Sequence, residues 1–331
     1  MSENKPKQLS FLFIGHLAVD SIIRFKKLRK PSLGGSVSFG SLALRKYDQN
    51  GSIRIISNLG ILNFNMALLD LLKNNNIDLR GIKSLKTNNT QFVLDYINHS
   101  RALTLKTKSP NLNFEDFPGE FIANKPNVIV LVPLCNEISY SYVSKILEAF
   151  PDVFIGLDVQ GFIRHIDNDG KVSYVWNSDL MKNMKAIIDL VGDRLILKGS
   201  EIEMKLLSNN NDLDEVMYYF NKFDNNGIYI MTLGEAGSRV IKKGQEIMNI
   251  PAFKAKKVVD ETGAGDVYLA IFLHEFLSSN KSWEAVRNSA YLASAAASFL
   301  VEKKGPDGFQ CKSKVIKRVN KGTILGDFKY T

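Results

Sequence analysis

One stretch near the C-terminal end carries the residue types needed to move a phosphoryl group. It reads Val258-Val259-Asp260-Glu261-Thr262-Gly263-Ala264-Gly265-Asp266. The β-branched pair ends a strand pattern, and a turn of small residues follows. Asp266 then opens an apolar run, 267–277, which predicts a buried helix. Gly263 and Gly265 let the backbone turn sharply and aim its N–H groups outward. The first N–H groups of a helix have no intrahelical partner, and the macrodipole adds positive potential there. Such a turn suits an anion, phosphate in particular. A carboxylate beside a phosphate repels it, so Asp266 needs a reason to be there. One reason is to take a proton from a hydroxyl that attacks phosphorus. The other is simply to cap the helix.

Two further places join carboxylates or cations to strand ends. Asp20 follows the apolar run 9–14 by way of Gly15-His16-Leu17-Ala18-Val19. Open α/β sheets bind ligands just past the C-terminal ends of their strands. Asp20 there is either an acceptor for substrate hydroxyls or a turn residue; His16 reads as packing. Asp158 and Arg164 lie beyond the strand pattern 153–159, near where a substrate should sit. Gly34-Gly35 precedes a helical run, 37–47. The pair permits a hinge or close approach to a ligand, or merely starts the helix.

The elements that must position these residues are readable in order. Strand patterns at 128–134, 153–159, 195–198 and 228–233 alternate with helical patterns at 137–150, 179–190, 201–207 and 213–223. That alternation predicts an α/β fold with a mostly parallel sheet and helices on both faces. Strand patterns also cover 9–14 and 53–57, and a helix covers 64–74. Two β-patterned runs, 90–97 and 101–106, flank the hairpin signal Asn98-His99-Ser100. With residues 21–33 they predict a small lid sheet, from about 21–33 and 86–108. Arg101 on that hairpin reads as a solvated strand charge rather than an anion ligand. The Ala-rich run 282–300 predicts a closely packed helix. With 331 residues, 45% of them hydrophobic, and no internal repeat, the chain predicts a single domain spanning 1–331 with that lid.

Composition narrows the chemistry. The 2 Cys and 4 His stand in no metal-type spacing, so neither a zinc site nor a disulfide framework is expected. A reducing cytoplasm is the natural compartment. Residues 1–8 lack the apolar core of a signal peptide, and no apolar run approaches a membrane span. The net charge is +9, but the cations are dispersed, with small clusters at 24–30 and 254–257. That suggests a solvated surface with attraction for anionic substrates, not a nucleic-acid polymer or a membrane as partner. The sequence leaves the oligomeric state open, a homodimer included. A dinucleotide fingerprint is disfavoured, because Tyr268 stands where the third glycine belongs.

Asp260 to Asp266 resembles the C-terminal signature of the ribokinase-like (PfkB) carbohydrate kinases. The resemblance implies that Asp266 is the catalytic base and that Gly263, Ala264 and Gly265 form an anion hole for the transferred group. It gives Asp20 the grip on a sugar, and Gly34-Gly35 the lid hinge and part of the sugar site. Lys198-Gly199-Ser200-Glu201-Ile202-Glu203 is similar to the family's Asn-x-x-Glu motif, with Ser200 in place of Asn. That register puts Glu203 at the acidic position, where a carboxylate holds Mg²⁺ through water; Glu201 is the competing candidate. Thr232-Leu233-Gly234-Glu235-Ala236-Gly237-Ser238 resembles the nucleotide-phosphate loop, with a plain hairpin into 239–241 as the alternative. Lys198, Ser200, Thr232, Gly234 and Gly237 are then the nucleotide contacts. Two departures matter. Phe39 stands near the family's Asn, which argues against ribose, and Gly60-Ile61 replaces the usual Gly-Asp. The strings Leu157 to Arg164 and Lys198 to Glu203 resemble the myo-inositol kinase branch. The implied activity is an ATP-dependent, Mg²⁺-using kinase acting on a hydroxyl of a sugar or polyol, with a myo-inositol-like acceptor favoured. A nucleoside kinase of the same fold and an inactive sugar-binding homologue are the alternatives.

Overall fold

Ser10–Ile14, Val128–Leu131, Phe154–Asp158, Leu195–Ser200 and Ile228–Thr232 run parallel through the centre of the molecule. The computed structural model describes residues 8–24, 27–28, 31–97 and 100–325. Among these, a nine-stranded sheet orders its strands Met248–Ile250, Ser238–Lys242, Ile228–Thr232, Leu195–Ser200, Phe154–Asp158, Val128–Leu131, Ser10–Ile14, Ser52–Gly60 and Asp78–Leu85. The first two are antiparallel to their neighbours, and the rest pair in parallel. A parallel sheet is covered on both faces, which is why its inner strands read as unbroken apolar runs. Side chains alternate across it. Phe11 and Phe13 join the core beneath helices Ser36–Tyr47, Ala264–Leu277 and Trp283–Leu300. Leu12 and Ile14 join the core beneath Tyr140–Ala149, Ser178–Val191, Glu201–Ser208 and Leu213–Asn221. Ala264–Leu277 is apolar nearly all round because helices and sheet enclose it. The Ala-rich helix packs on it through small residues, Ala290 and Ala293 among them.

A separate sheet of five strands combines Ala18–Arg24, Lys27–Leu28, Ser32–Gly34, Thr90–Ile97 and Ser100–Thr107. It matches the expected small sheet, with one correction. Asp20 is not in a turn: it lies within a strand, opposite Ser32. The side chain of Arg101 and part of the 24–30 cluster lie outside the described residues.

Several elements differ from the sequence reading. The strand expected at 128–134 ends at Leu131, just before Pro133, which has no N–H to donate. The helix expected from 137 starts at Tyr140, because Ser139 caps it by accepting from the Tyr142 N–H at 3.1 Å. Asp78–Leu85 adds an edge strand, and Lys312–Lys321 adds a C-terminal helix. Between Asp158 and Ser178 the chain makes a short helix, Gln160–Ile163, and a hairpin, His165–Ile166 with Val172–Ser173. That hairpin bonds to the small sheet: Leu105 N–H donates to the Gly170 carbonyl at 2.7 Å.

Candidate active site

Gly263 is the cap of the buried helix, at φ 84°. A left-handed cap favours glycine, and a methyl group there would also strike the Phe39 ring at 2.2 Å. Asp266 is therefore not the cap; it sits in the first helical turn. The preceding turn is fixed by Asp260, whose Oδ1 accepts from the N–H and hydroxyl of Thr262 at 3.1 and 2.8 Å. Of the three amides expected to hold an anion, that of Ala264 donates to the Glu261 carbonyl at 3.2 Å.

Two cavities of about 360 Å³ each meet at this turn. Both are lined by Thr232, Glu261, Ala264 and Gly265. The first lies between the end of the large sheet and the small sheet. It takes in Asp20, Gly35, Asp158, Arg164, Lys198, Ser200, Glu203 and Asp266. The sequence separates these residues by almost the whole chain, and the parallel strands bring them together at one end. Gly34 stands just behind them, because a methyl group there would meet the Asp20 carboxylate at 2.1 Å. The second cavity takes in Gly234 and Gly237 with mostly apolar partners, among them Phe253, Val258, Ala297 and Val301. The hairpin alternative for 232–238 is also present, since Ile228–Thr232 pairs antiparallel with Ser238–Lys242. Lys198 and Ser200, expected on the nucleotide, line the first cavity and not the second.

Charge inside the first cavity is closely paired. Lys198 Nζ donates to Asp158 Oδ2 at 2.6 Å, and both side chains are buried. A methyl group at Gly265 would meet that ammonium at 2.6 Å, so Lys198 lies against the expected anion hole. Burial opposes its charge, but Asp158, Glu203 and Asp266 together hold it protonated well beyond the ordinary lysine range. Asp266 is the reverse. Burial, then the Asp158 charge, pushes its carboxyl up to about 6, against Lys198, a Ser36 hydrogen bond and Arg164. A carboxylate in that range is suited to proton transfer near neutral pH.

Ser200 and Glu203 form a capping box on helix Glu201–Ser208. Glu203 Oε2 accepts from the Ser200 N–H at 2.7 Å and Oε1 from the Tyr174 hydroxyl at 2.8 Å. A carboxylate has about four lone-pair sites, so Glu203 keeps capacity facing the cavity. That fits a Mg²⁺ ion that retains most of its water. Glu201 points away, pairing with Lys205 at 2.5 Å.

Three residues here escaped the sequence reading. Arg164 donates to the Leu134 carbonyl at 2.9 Å and to Gln160 Oε1 at 2.8 Å, and Gln160 Nε2 donates to Ser36 Oγ at 2.8 Å. Ser36 in turn bonds Asp266. Tyr174 joins this line through Arg164 Nε, 3.4 Å from its hydroxyl. Burial above all pushes the Tyr174 phenol up to about 12. Ser36 and Gln160 gave no signal beyond standing next to singled-out residues. Tyr174 follows a strand of only two residues, Val172–Ser173, which gives no periodic signal. His16, Cys135 and Glu137 also cluster, buried, with their ligating atoms within 4.8 Å of one another. There Glu137 accepts from the N–H groups of His16, Leu134 and Cys135. The ring nitrogens of His16 meet Pro110 O and Thr90 Oγ1 at 3.0 and 2.8 Å.

Known proteins share this fold. A pyrophosphate-dependent kinase of the ribokinase family superposes with a TM-score of 0.72 at 19% identity, over 93% of this chain and 99% of the other. An uncharacterized sugar kinase from Pyrococcus horikoshii gives 0.73 at 20% identity, over 96% and 100%. A fructokinase from Vibrio cholerae gives 0.73 at 16%, over 93% and 98%. At these identities the likeness establishes the ribokinase-like fold. A nucleoside kinase from Methanocaldococcus jannaschii is 38% identical over 96 residues, 29% of this chain, and the match spans 30% of that enzyme's length. Residues 48–310, which run from the end of the first helix to past the Asp266 turn and the Ala-rich helix, match one family throughout: the chain belongs to the pfkB family of carbohydrate kinases.

Proposed function

We propose that this kinase transfers the γ-phosphoryl group of ATP to a hydroxyl of a sugar or polyol, with a cyclitol such as myo-inositol as the favoured acceptor. One observation carries the reading. Two cavities share a wall at the Thr262–Asp266 turn, and the carboxyl pushed to about 6 stands on the side of the polar one. Phosphoryl transfer needs in-line positioning and neutralised charge more than covalent help. In this reading the apolar second cavity takes the nucleoside of the donor and directs its phosphates at the turn. Asp20 and Arg164 hold acceptor hydroxyls. Asp266 orients the attacking hydroxyl and accepts its proton. The Lys198 ammonium, steadied by Asp158, faces the charge that develops on the transferred group, together with the free amides of the turn. Glu203 would hold a hydrated Mg²⁺, which when bound offsets phosphate charge. The small sheet, acting as a lid over the acceptor, excludes water that would otherwise hydrolyse the donor. The cysteines are unpaired, which suits a cytoplasmic enzyme.

Relatives support parts of this. Solved relatives include a myo-inositol kinase, the Pyrococcus sugar kinase with ATP, and the Vibrio fructokinase with fructose and ADP. A second reading, nucleoside kinase, has its own support. Phe39, Phe92, Leu94 and Leu103 line the acceptor cavity and could face a base, and the matched archaeal relative is a nucleoside kinase. Direct competition separates the two. Equal concentrations of myo-inositol, fructose, ribose and adenosine are offered with MgATP, and the products are resolved by mass. Phosphorylated inositol as the main product supports the cyclitol reading; phosphorylated adenosine replaces it with the nucleoside reading. No product from a broad panel would favour an inactive homologue. Repeating the panel with pyrophosphate as donor tests ATP, because some relatives use pyrophosphate.

A further inference from the structure

Cations dispersed along the sequence are gathered in the fold. Lys254, Lys256, Lys314, Lys317, Arg318 and Lys321 line one groove of about 450 Å³, and among the described residues no acidic one lines it, Glu302 standing behind Lys256 and Arg318. Four of them lie three or four positions apart on helix Lys312–Lys321, so they share a face. The other two belong to the segment after Met248–Ile250. That segment is fastened to the end of the helix: Phe253 bridges to Ile324, and the Lys254 N–H donates to the Thr323 carbonyl at 3.0 Å. Arg318 is answered by Glu302 at 2.7 Å and lies over the Phe299 ring. Among the described residues no ion pair takes any of the five lysines. Several like charges around one concavity repel each other and focus a positive potential into it. The groove is an open concavity rimmed by cations on two sides, the helix and the 254–256 segment, which a short chain of phosphates can lie along.

This groove adjoins the second cavity of the candidate active site without being part of the turn. Lys254 and Ala255 line both spaces. Arg318 NH1 donates to Ser298 Oγ at 2.8 Å, and Ser298 lines the second cavity. We propose that the groove is a second anion site, outside the catalytic cleft, that takes a chain of phosphate groups. Its ligand is either a free polyphosphate or the phosphate tail of a nucleotide. Its occupant pulls on Lys254 and Arg318, and so adjusts the wall that the donor meets; this last clause alone rests on the functional reading above.

The test counts sites. Tripolyphosphate is titrated calorimetrically into the wild-type protein and into the triple variant Lys314→Ala, Lys317→Ala, Lys321→Ala. All three lysines are exposed, so the variant should keep its thermal midpoint; Lys317→Glu alone serves as the second variant. Loss of one binding site, or its weakening by at least about tenfold, with any other site unchanged, is the expected result. An ATP arm that loses the same site identifies a nucleotide ligand; an ATP arm that loses none identifies free polyphosphate. Equal site number and affinity in all proteins would overturn the proposal. So would a short single-stranded DNA that displaces tripolyphosphate at far lower concentration and is itself lost with the lysines. Failure of the kinase reading would leave this count untouched.

Discussion

Asp266 is stable as a neutral acid and useful as a base, and the two demands conflict. Its folded value near 6 lies above the ordinary 3.8, so the folded state binds the proton more tightly than the unfolded chain does. Its ionisation therefore opposes folding, increasingly as pH rises through about 6. Asp266→Asn should lower kcat by about a hundredfold to ten-thousandfold while raising the Tm at pH 8, with the Tm difference vanishing near pH 4. A variant that keeps wild-type turnover would remove Asp266 from the base role. In the wild type, kcat/KM should rise with pH and level off above about 6. Asp158→Asn removes the neighbouring negative charge and frees Lys198 to face Asp266. Its pH profile should bend at a lower pH, and a bend that stays put would mean that Asp158 acts only through packing. Asp20→Ala should raise the acceptor KM much more than the donor KM, by about 1.5–3 kcal/mol for one charged hydrogen bond. Equal changes in both constants would make Asp20 a strand residue and nothing more.

The elements were legible where a period repeated and obscure where it did not. The runs 128–131, 154–157, 195–197 and 228–231 carry no polar side chain other than the Tyr229 hydroxyl, so their strands stood out, as did the turn at 263–266. Asp78–Leu85 is an edge strand of mixed polarity, with Arg80 and Ser84 exposed, and carries no such run. The stretch 160–174 holds elements of four, two and two residues, too short for any period to show. Yet it delivers Gln160, Arg164 and Tyr174 to the site. The capping box of Ser200 and Glu203 shows the opposite problem: one short motif is both a helix start and a metal-type carboxylate, and spacing cannot separate the two. The hairpin that leads into Tyr174 joins the small sheet to Glu203. Tyr174→Phe should therefore raise the acceptor KM several-fold while leaving the donor KM near the wild-type value. A change confined to the donor KM would instead place the tyrosine with the second cavity.

At the scale of the molecule, the two sheets are tied by a buried polar knot. Glu137 holds the backbone of His16, Leu134 and Cys135, and His16 reaches Thr90 and Pro110. Burial lowers the His16 pKa from 6.5, so unfolding takes up a proton there below that pH. Burial opposes the Glu137 charge, but His16 and the backbone N–H groups hold its pKa below 4.5. Both groups make stability fall as pH falls, first below about 6.5 and again below about 4.5. Asp266 acts in the opposite sense up to about pH 6, so the upper step is read by difference: His16→Gln should lose less Tm than the wild type between pH 8 and pH 5.

The small sheet also has a history written into its connections. Ala18–Arg24 pairs in parallel with Thr90–Ile97, a partner about 70 positions further along the chain. Helix Ser36–Tyr47 and strands Ser52–Gly60 and Asp78–Leu85 lie between them in sequence, and all three belong to the large layer. Closing so long a loop before those elements dock is entropically unfavourable and slow. Once they dock, strands 18–24 and 90–97 are delivered side by side. The large sheet can start from closer pairs, Ile155 with Leu195 and Ile196 with Ile228, so assembly is expected to run outward: the large sheet first, its smaller companion last. During refolding, pulse-labelled amides of 195–200 and 228–232 should be protected before those by which strands 18–24 and 90–97 pair with each other. The half-built intermediate would already possess the pocket lined by Phe253 and Val301, and would lack the wall that Phe92 and Leu94 give to the other. A newly made chain would, for that interval, bind one kind of partner while still unable to enclose the other.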